Sequence, residues 1–260
     1  MLIPPKHYAE PSVFTPDNLL REARRQKALP YATVPAVCLL DPDGDVVRYL
    51  VAQNKASRNP YWACYHTDLY DFEQNDIQFG VVGCAVGAPF AVLVAEELFA
   101  SGCKLLISIT SAGQITATHN PPYFVLIDRA LRDEGTSYHY LPPSDYSKID
   151  ERLLKLFEEA FVTNPVPVDT GATWTTDAPF RETAFAIDKC RELGILAVEM
   201  EAAALYAFAQ AKNKPVICLA HVTNQMASIE GDFEKGVANG SEDATRLLVT
   251  IAQIWQDNIP

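Results

Sequence analysis

The chain has 260 residues, 48% of them hydrophobic, and a formal charge of −12, enough length and apolar material for one large domain with a substantial core. The acidic balance argues against a nucleic-acid-coating surface, which needs Lys and Arg against phosphates, but it leaves room for a small anion in a local basic pocket. No apolar run reaches the roughly 20 residues that span a bilayer, the N-terminus lacks a signal-peptide layout, and six scattered cysteines without a C-x-x-C pair fit a reducing, cytoplasmic setting with no metal.

Residues 1–33 are Pro-rich and polar and read as an N-terminal arm with one helix around Pro16–Ala28. Val34–Leu40 and Val46–Ala52 are β-branched runs around Asp41-Pro42-Asp43-Gly44-Asp45, a pattern that predicts a hairpin with Arg48 on its second strand. Ile77–Cys84 reads as a strand, and Gly83, Gly87, Ala88 and Pro89 then turn the chain into a helix, Phe90–Ser101. Small residues at such a turn let backbone N–H groups approach an anion or a sugar, and the helix N-terminus favours negative charge. Lys104–Thr110 is the next buried strand and ends in Ser111-Ala112-Gly113. Tyr123–Ile127 is another strand, followed by a loop shaped by Gly135 and Pro142-Pro143. Asp150–Phe161 is an amphipathic helix expected to bury Leu153, Leu154, Leu156, Phe157 and Phe161. A strand over Pro167–Thr173, a helix from Arg181 to Glu192, a strand over Pro215–Thr223 and a terminal helix over Gly240–Gln256 complete the pattern. With no internal repeat and no long linker, residues 1–260 are expected to form a single domain.

Between the last two strands lies the stretch that carries most chemistry. Ile195–Val198 is a short apolar run after Gly194, which reads as a buried strand. From Ala202 the residues are strong helix formers, with no Gly or Pro before Pro215. Glu199 and Glu201 therefore stand where a strand ends and a helix begins, the place where ligands bind in open α/β sheets. On a helix, two residues apart means roughly 200° apart, so the two carboxylates cannot serve one ligand atom. One can face a pocket while the other caps backbone N–H groups; alternatively both merely complement the helix dipole.

Val198-Glu199-Met200-Glu201-Ala202 resembles the signature of the purine-nucleoside/uridine phosphorylase family, in which a strand delivers Met and Glu to the ribose. Three further stretches resemble the same family in the same order: Val82–Pro89, Arg132–Tyr140 and Thr175–Thr183. Arg132–Tyr140 is closer to the uridine phosphorylase side. The resemblance implies an α/β phosphorylase/hydrolase-like fold, a central mixed sheet flanked by helices, and a homodimer or a multiple of dimers with the arm at the subunit interface. It implies a nucleoside as the small-molecule partner, with neither nucleic acid nor membrane, and no cofactor beyond inorganic phosphate as co-substrate.

Residue by residue, the resemblance places Glu201 on the ribose hydroxyls, as a carboxylate kept ionised by the helix start, with Glu199 and Met200 beside it. It puts Phe180 and Arg181 at the base, and His7 on the ribose 5′-hydroxyl of a neighbouring subunit. Asn224 stands where many purine-acting relatives carry Asp; it can donate to the departing base but cannot protonate it. Gly87 and Ser111 fall at the phosphate or water site, with Arg58 as a second contributor lent across the dimer. Two departures stand out. Leu40 occupies the place of the Gly in the family's Gly-Asp-Pro-x-Arg phosphate loop, with no Arg following at the right place. Ser108 occupies the place of a phosphate-gripping Arg. The expected reaction is phosphorolysis of a nucleoside to free base and ribose 1-phosphate. Hydrolysis by a nucleosidase is the alternative those absent arginines raise, and a non-catalytic nucleoside-binding protein is a further one.

Overall fold

A computed structural model of the chain describes residues 6–162, 164–226 and 230–258, so the first five residues of the arm lie outside it. Ten strands form one mixed sheet. Its organising strand is β5 (Leu105–Gln114), buried along most of its length. On one side β5 runs parallel to β1 (Val37–Asp41), which runs parallel to β4 (Ile77–Gly83). An antiparallel tail of β3 (Tyr70–Gln74) and β2 (Ala56–Arg58) extends that side. On the other side β5 pairs in parallel with β10 (Val216–Asn224). From β10 the pairing passes to β6 (Tyr123–Asp133), β8 (Val168–Thr176) and β9 (Ala197–Glu199), and β9 returns to the far end of β5 through Val198–Gly113. Those five strands close into a ring, so they present few free edges. Strand β7 (Tyr146–Lys148) adds to β6.

Helices pack around this sheet. Helix α3 (Ala88–Ala100) lies on α6 (Ala202–Lys212), and α1 (Pro16–Lys27) lies on α3. On this contact the arm is docked by Leu20 and Ala23, which are fully buried with Ala63. Helix α7 (Ser241–Asn258) packs on α2 (Asp45–Ala52) and α4 (Glu151–Phe161), while α5 (Ala184–Glu192) covers a smaller cluster built on Trp174 and Ile195. Such helix-covered parallel strands read as continuous apolar runs, as β1, β5 and β10 do.

The structure corrects the predicted hairpin. Val46–Ala52 is the helix α2, and Arg48 therefore sits on a helix. Strand propensity of the β-branched residues yields here to burial at helical spacing: Val46 and Leu50, four apart, are 4% and 1% exposed. The chain also has to cross over between strands that run parallel, which a hairpin cannot do. In α4 the buried stripe is Leu153, Phe157 and Phe161, with Leu154 and Leu156 only half-buried.

Candidate active site

The C-terminal ends of β1, β4, β5 and β10 meet at one edge of the sheet, where the junction between β9 and α6 joins them. Strand β9 ends at Glu199, Met200 bends the chain, and Glu201 takes the N-cap position of α6 without capping it through its own side chain. Glu199 does the capping. Its Oε2 accepts the backbone N–H groups of Glu201 and Ala202, each at 2.7 Å, and its Oε1 accepts the hydroxyls of Thr173 (3.0 Å) and Thr175 from the neighbouring β8. The side chain is 3% exposed. With four donors converging on it from within the chain, Glu199 is committed to holding the junction rather than to a sugar.

Freed from that duty, Glu201 turns across the sheet edge. Its Oε1 accepts the N–H of Gly87 at 2.7 Å and its Oε2 accepts the Thr110 hydroxyl at 2.8 Å. Gly87 caps the start of α3 with φ +89, a left-handed conformation that suits glycine. Glu201 Oε2 also accepts the backbone N–H of Met200 in a longer bond of 3.3 Å. A carboxylate has about four lone-pair positions, so these three bonds leave capacity for a further donor, the Met200 bond being the longest of them. Met200, half-buried, forms the adjacent apolar wall. One expectation is corrected here. The helix start does not keep Glu201 acidic: burial, and then the Glu199 charge, raise its pKa from 4.5 to about 7. Desolvation outweighs the helix dipole because Glu201 is 1% exposed and Glu199 already occupies the helix N–H groups.

Asn224 ends β10 beside a register shift that follows Val222, opposite Gly113 of β5. Its amide donates to the Thr223 hydroxyl at 3.1 Å and its carbonyl accepts the Met226 N–H at 2.9 Å, leaving one amide hydrogen for a further partner. Phe180 and Arg181 lie in a 3-10 turn, Pro179–Arg181, on the surface; Phe180 is 99% exposed and stacks on no ring among the described residues. Two other expected contributors also point away. His7 is exposed, faces Glu10 at 3.7 Å, and lines a cleft with His139, Tyr140 and Lys212 at the end of α6 remote from Glu201. Arg58, on the edge strand β2, pairs with Asp68 at 2.6 Å.

The anion corner differs most from expectation. Ser111 does stand beside Thr110, but its hydroxyl donates to Asp43 Oδ2. Three aspartates gather at the β1–α2 turn. Asp41 is buried, accepts the N–H groups of Gly44 (3.1 Å) and Val47 (3.0 Å), and has its pKa lifted to about 7 by desolvation, with the charges of Asp43 and Asp45 adding to it. Lys235 reaches in from the β10–α7 connection to Asp45 (2.6 Å) and Asp43 (3.2 Å). Arg48 folds back onto the Asp43 carbonyl (2.7 Å) and Asp45 (2.8 Å). Burial opposes ionisation at both Asp45 and Lys235, yet their mutual bonds win, lowering the pKa of Asp45 and raising that of Lys235. His221, stacked on Phe124 at 4.5 Å, is neutral, its pKa depressed to about 4 by burial and by the Lys235 charge. Gly44 is glycine for two reasons: φ is +75, and a Cβ would come 2.6 Å from Cys84 Sγ and 2.8 Å from Arg48 Nη1. Ser108 is buried with no hydrogen-bond partner for its hydroxyl among the described residues.

The comparison with known proteins decides the family. Residues 16–253 match the model of the phosphorylase superfamily. The chain belongs to the phosphorylase superfamily. Within it, the chain is 26% identical over 198 residues to a guanosine phosphorylase of Halorubrum lacusprofundi, covering 76% of this chain and 75% of the relative. It is 28% identical over 178 residues to a DeoD-type purine nucleoside phosphorylase of Bacillus velezensis, covering 64% and 74% respectively. In fold, this superfamily member is similar to uridine phosphorylase from Vibrio fischeri (TM-score 0.71, 18% identity, 87% and 93% of the two chains). A purine nucleoside phosphorylase from Toxoplasma gondii in complex with immucillin-H is similarly close (TM-score 0.70, 16% identity, 85% and 90%). Among the described residues, no group of three or more His, Cys, Asp or Glu is arranged to hold a metal ion, and no helix is long and apolar enough to cross a membrane.

Thr110, Asp43, His221 and Lys235 are candidate site residues that the sequence does not single out. Thr110 had a visible signal, a polar residue alternating with Ser108 in an otherwise apolar strand. Asp43 and Lys235 had none, being 192 residues apart.

Proposed function

We propose that this superfamily member is a nucleoside phosphorylase, cleaving the N-glycosidic bond of a nucleoside with inorganic phosphate to give free base and ribose 1-phosphate. One observation carries the reading: the Glu201 carboxylate, held by the Gly87 N–H and the Thr110 hydroxyl beside Met200, is an oriented acceptor for a vicinal diol. Fixing the ribose this way holds the ring while C1′ develops oxocarbenium character. The C1′–N bond breaks and its electron pair leaves with the base. The free amide hydrogen of Asn224 stabilises the charge that builds there, and a phosphate oxygen forms the new bond to C1′ beside Gly87 and Ser111. Phe180, Arg181, His7 and Arg58 enter this scheme only across a subunit boundary or after loop closure, which a dimer-based assembly provides. Val86, Leu93, Tyr61 and Tyr65 are exposed apolar residues that a subunit contact would cover.

A hydrolytic nucleosidase is the second reading, favoured by the aspartates at the anion corner, which oppose a phosphate dianion. The deciding experiment incubates the protein with a panel of purine and pyrimidine nucleosides, with and without phosphate, and identifies both products. Phosphate-dependent release of base with ribose 1-phosphate is expected. Undiminished cleavage to ribose without phosphate overturns phosphorolysis, and no cleavage of any nucleoside overturns the enzyme.

A further inference from the structure

The donors at the anion corner share one target. The Ser111 hydroxyl and the Lys235 ammonium both donate to Asp43 Oδ2, Lys235 from 3.2 Å. Ser111 follows Thr110, whose hydroxyl holds Glu201, so this carboxylate sits one strand residue away from the sugar anchor. A hydroxyl and an ammonium converging on a single anionic oxygen form the donor set that a phosphate oxygen also accepts. Arg48 stands alongside, with Nη2 on Asp45 at 2.8 Å and Nη1 3.9 Å from Cys84 Sγ. His221 is neutral and adds no charge.

The aspartates here are not equivalent. Asp41 is 3% exposed and tied to backbone N–H groups. Asp43 has a side chain 31% exposed, held among the described residues through Ser111 and Lys235. It can therefore swing into solvent without stripping the backbone of acceptors, whereas Asp41 cannot. Lys235 is 25% exposed and its ammonium bridges Asp43 and Asp45, so releasing Asp43 leaves that ammonium in place, still held by Asp45 at 2.6 Å.

We propose that Lys235 is the residue that positions the phosphate co-substrate, and that Asp43 occupies the place of a phosphate oxygen on Lys235 and Ser111 until phosphate displaces it. The proposal rests on the phosphorolytic reading above. It accounts for how a corner without the family's phosphate-binding arginines holds a dianion: one part-exposed carboxylate leaves, and a cation from the β10–α7 connection takes the arginines' part.

The test measures inorganic phosphate binding by calorimetry and the phosphate KM by steady-state kinetics, on the full chain and on Lys235→Met, Lys235→Arg and Asp43→Asn. Lys235→Met is expected to weaken phosphate binding at least tenfold and raise the phosphate KM equally, while the nucleoside KM moves less than threefold. Lys235→Arg should restore most of the binding. Asp43→Asn, by removing the competing charge, should tighten phosphate binding three- to tenfold, a gain that misfolding cannot imitate. Phosphate binding by Lys235→Met equal to that of the unaltered protein overturns the proposal, as does weaker binding by Asp43→Asn. Cleavage to ribose in phosphate-free buffer that Asp43→Asn abolishes also overturns it, making Asp43 a base for water. If the protein binds phosphate as expected yet cleaves no nucleoside, the Lys235 assignment stands and the catalytic reading falls.

Discussion

The proposed sugar corner around Glu201 and the proposed anion corner around Asp43 lie side by side at the same sheet edge, but they are built on opposite principles. At the proposed sugar corner both carboxylates are nearly fully buried, and the shortest hydrogen bonds on Glu201 and Glu199 come from strands and helix starts, with only the longer Met200 bond coming from the bend between them. At the anion corner charges cancel one another on turns and connections, with side chains a quarter to a third exposed at Lys235 and Asp43. A rigid, desolvated acceptor suits a sugar that must be held in one orientation throughout the reaction. A compensated, part-exposed ion cluster suits an occupant that comes and goes. Geometry is set where burial is deep, and exchange is permitted where charges are shared with water.

The harshest way to break the first corner is Glu199→Ala. It leaves the Thr173 and Thr175 hydroxyls and the N–H groups of Glu201 and Ala202 without their buried acceptor, which should cost about 3 kcal/mol of folding stability. Urea denaturation reads that loss; an unshifted midpoint refutes the capping role. Glu199→Gln should reduce turnover less than Glu201→Gln does.

Glu201→Gln probes the sugar contact itself. It should lower kcat/KM at least tenfold, about 1.4 kcal/mol of transition-state stabilisation, and activity equal to the parent protein on a ribonucleoside that it cleaves would remove Glu201 from the ribose. Ionisation sharpens the same point through two opposite pH trends. With the pKa raised from 4.5 to about 7, the stability Glu201 contributes is fully present below pH 4.5 and is lost as pH rises through 7. The sugar, by contrast, needs the ionised acceptor, so nucleoside kcat/KM should climb through about pH 7. Glu201→Gln should flatten the rate trend, measured by pH–rate profiles, and reduce the stability trend in thermal unfolding, the remainder of which belongs to Asp41, whose pKa burial also raises to about 7.

Smaller effects separate the supporting groups. Thr110→Val removes one donor from a carboxylate that retains Gly87, and should weaken nucleoside binding about fivefold, near 1 kcal/mol; equilibrium titration with a nucleoside checks it. Asn224→Asp should shift preference toward purines able to accept a proton, while changing total activity least. An unchanged ratio of purine to pyrimidine cleavage would move Asn224 away from the base.

Much of this was open to reading from the chain alone because it depends on neighbours in sequence. The strand–helix junction at Glu199–Ala202, the glycine turn at Gly83–Pro89 and the apolar strands follow from local pattern, since periodicity and turn chemistry act over a few residues. Even the division of labour between two carboxylates two residues apart is a local constraint, although which one would cap was left to the β8 threonines.

Tertiary structure decided the rest. Val46–Ala52 is helical because its burial pattern matched a crossover between parallel strands, against its β-branched composition. The raised pKa of Glu201 follows from how deeply the sheet edge buries it, a quantity that no short motif encodes. The pairing of Asp43 with Lys235 joins residues 192 positions apart. Electrostatic partners of that kind are fixed only when strands from both halves of the chain are laid side by side, because charge interactions depend on distance in space and carry no period along the sequence.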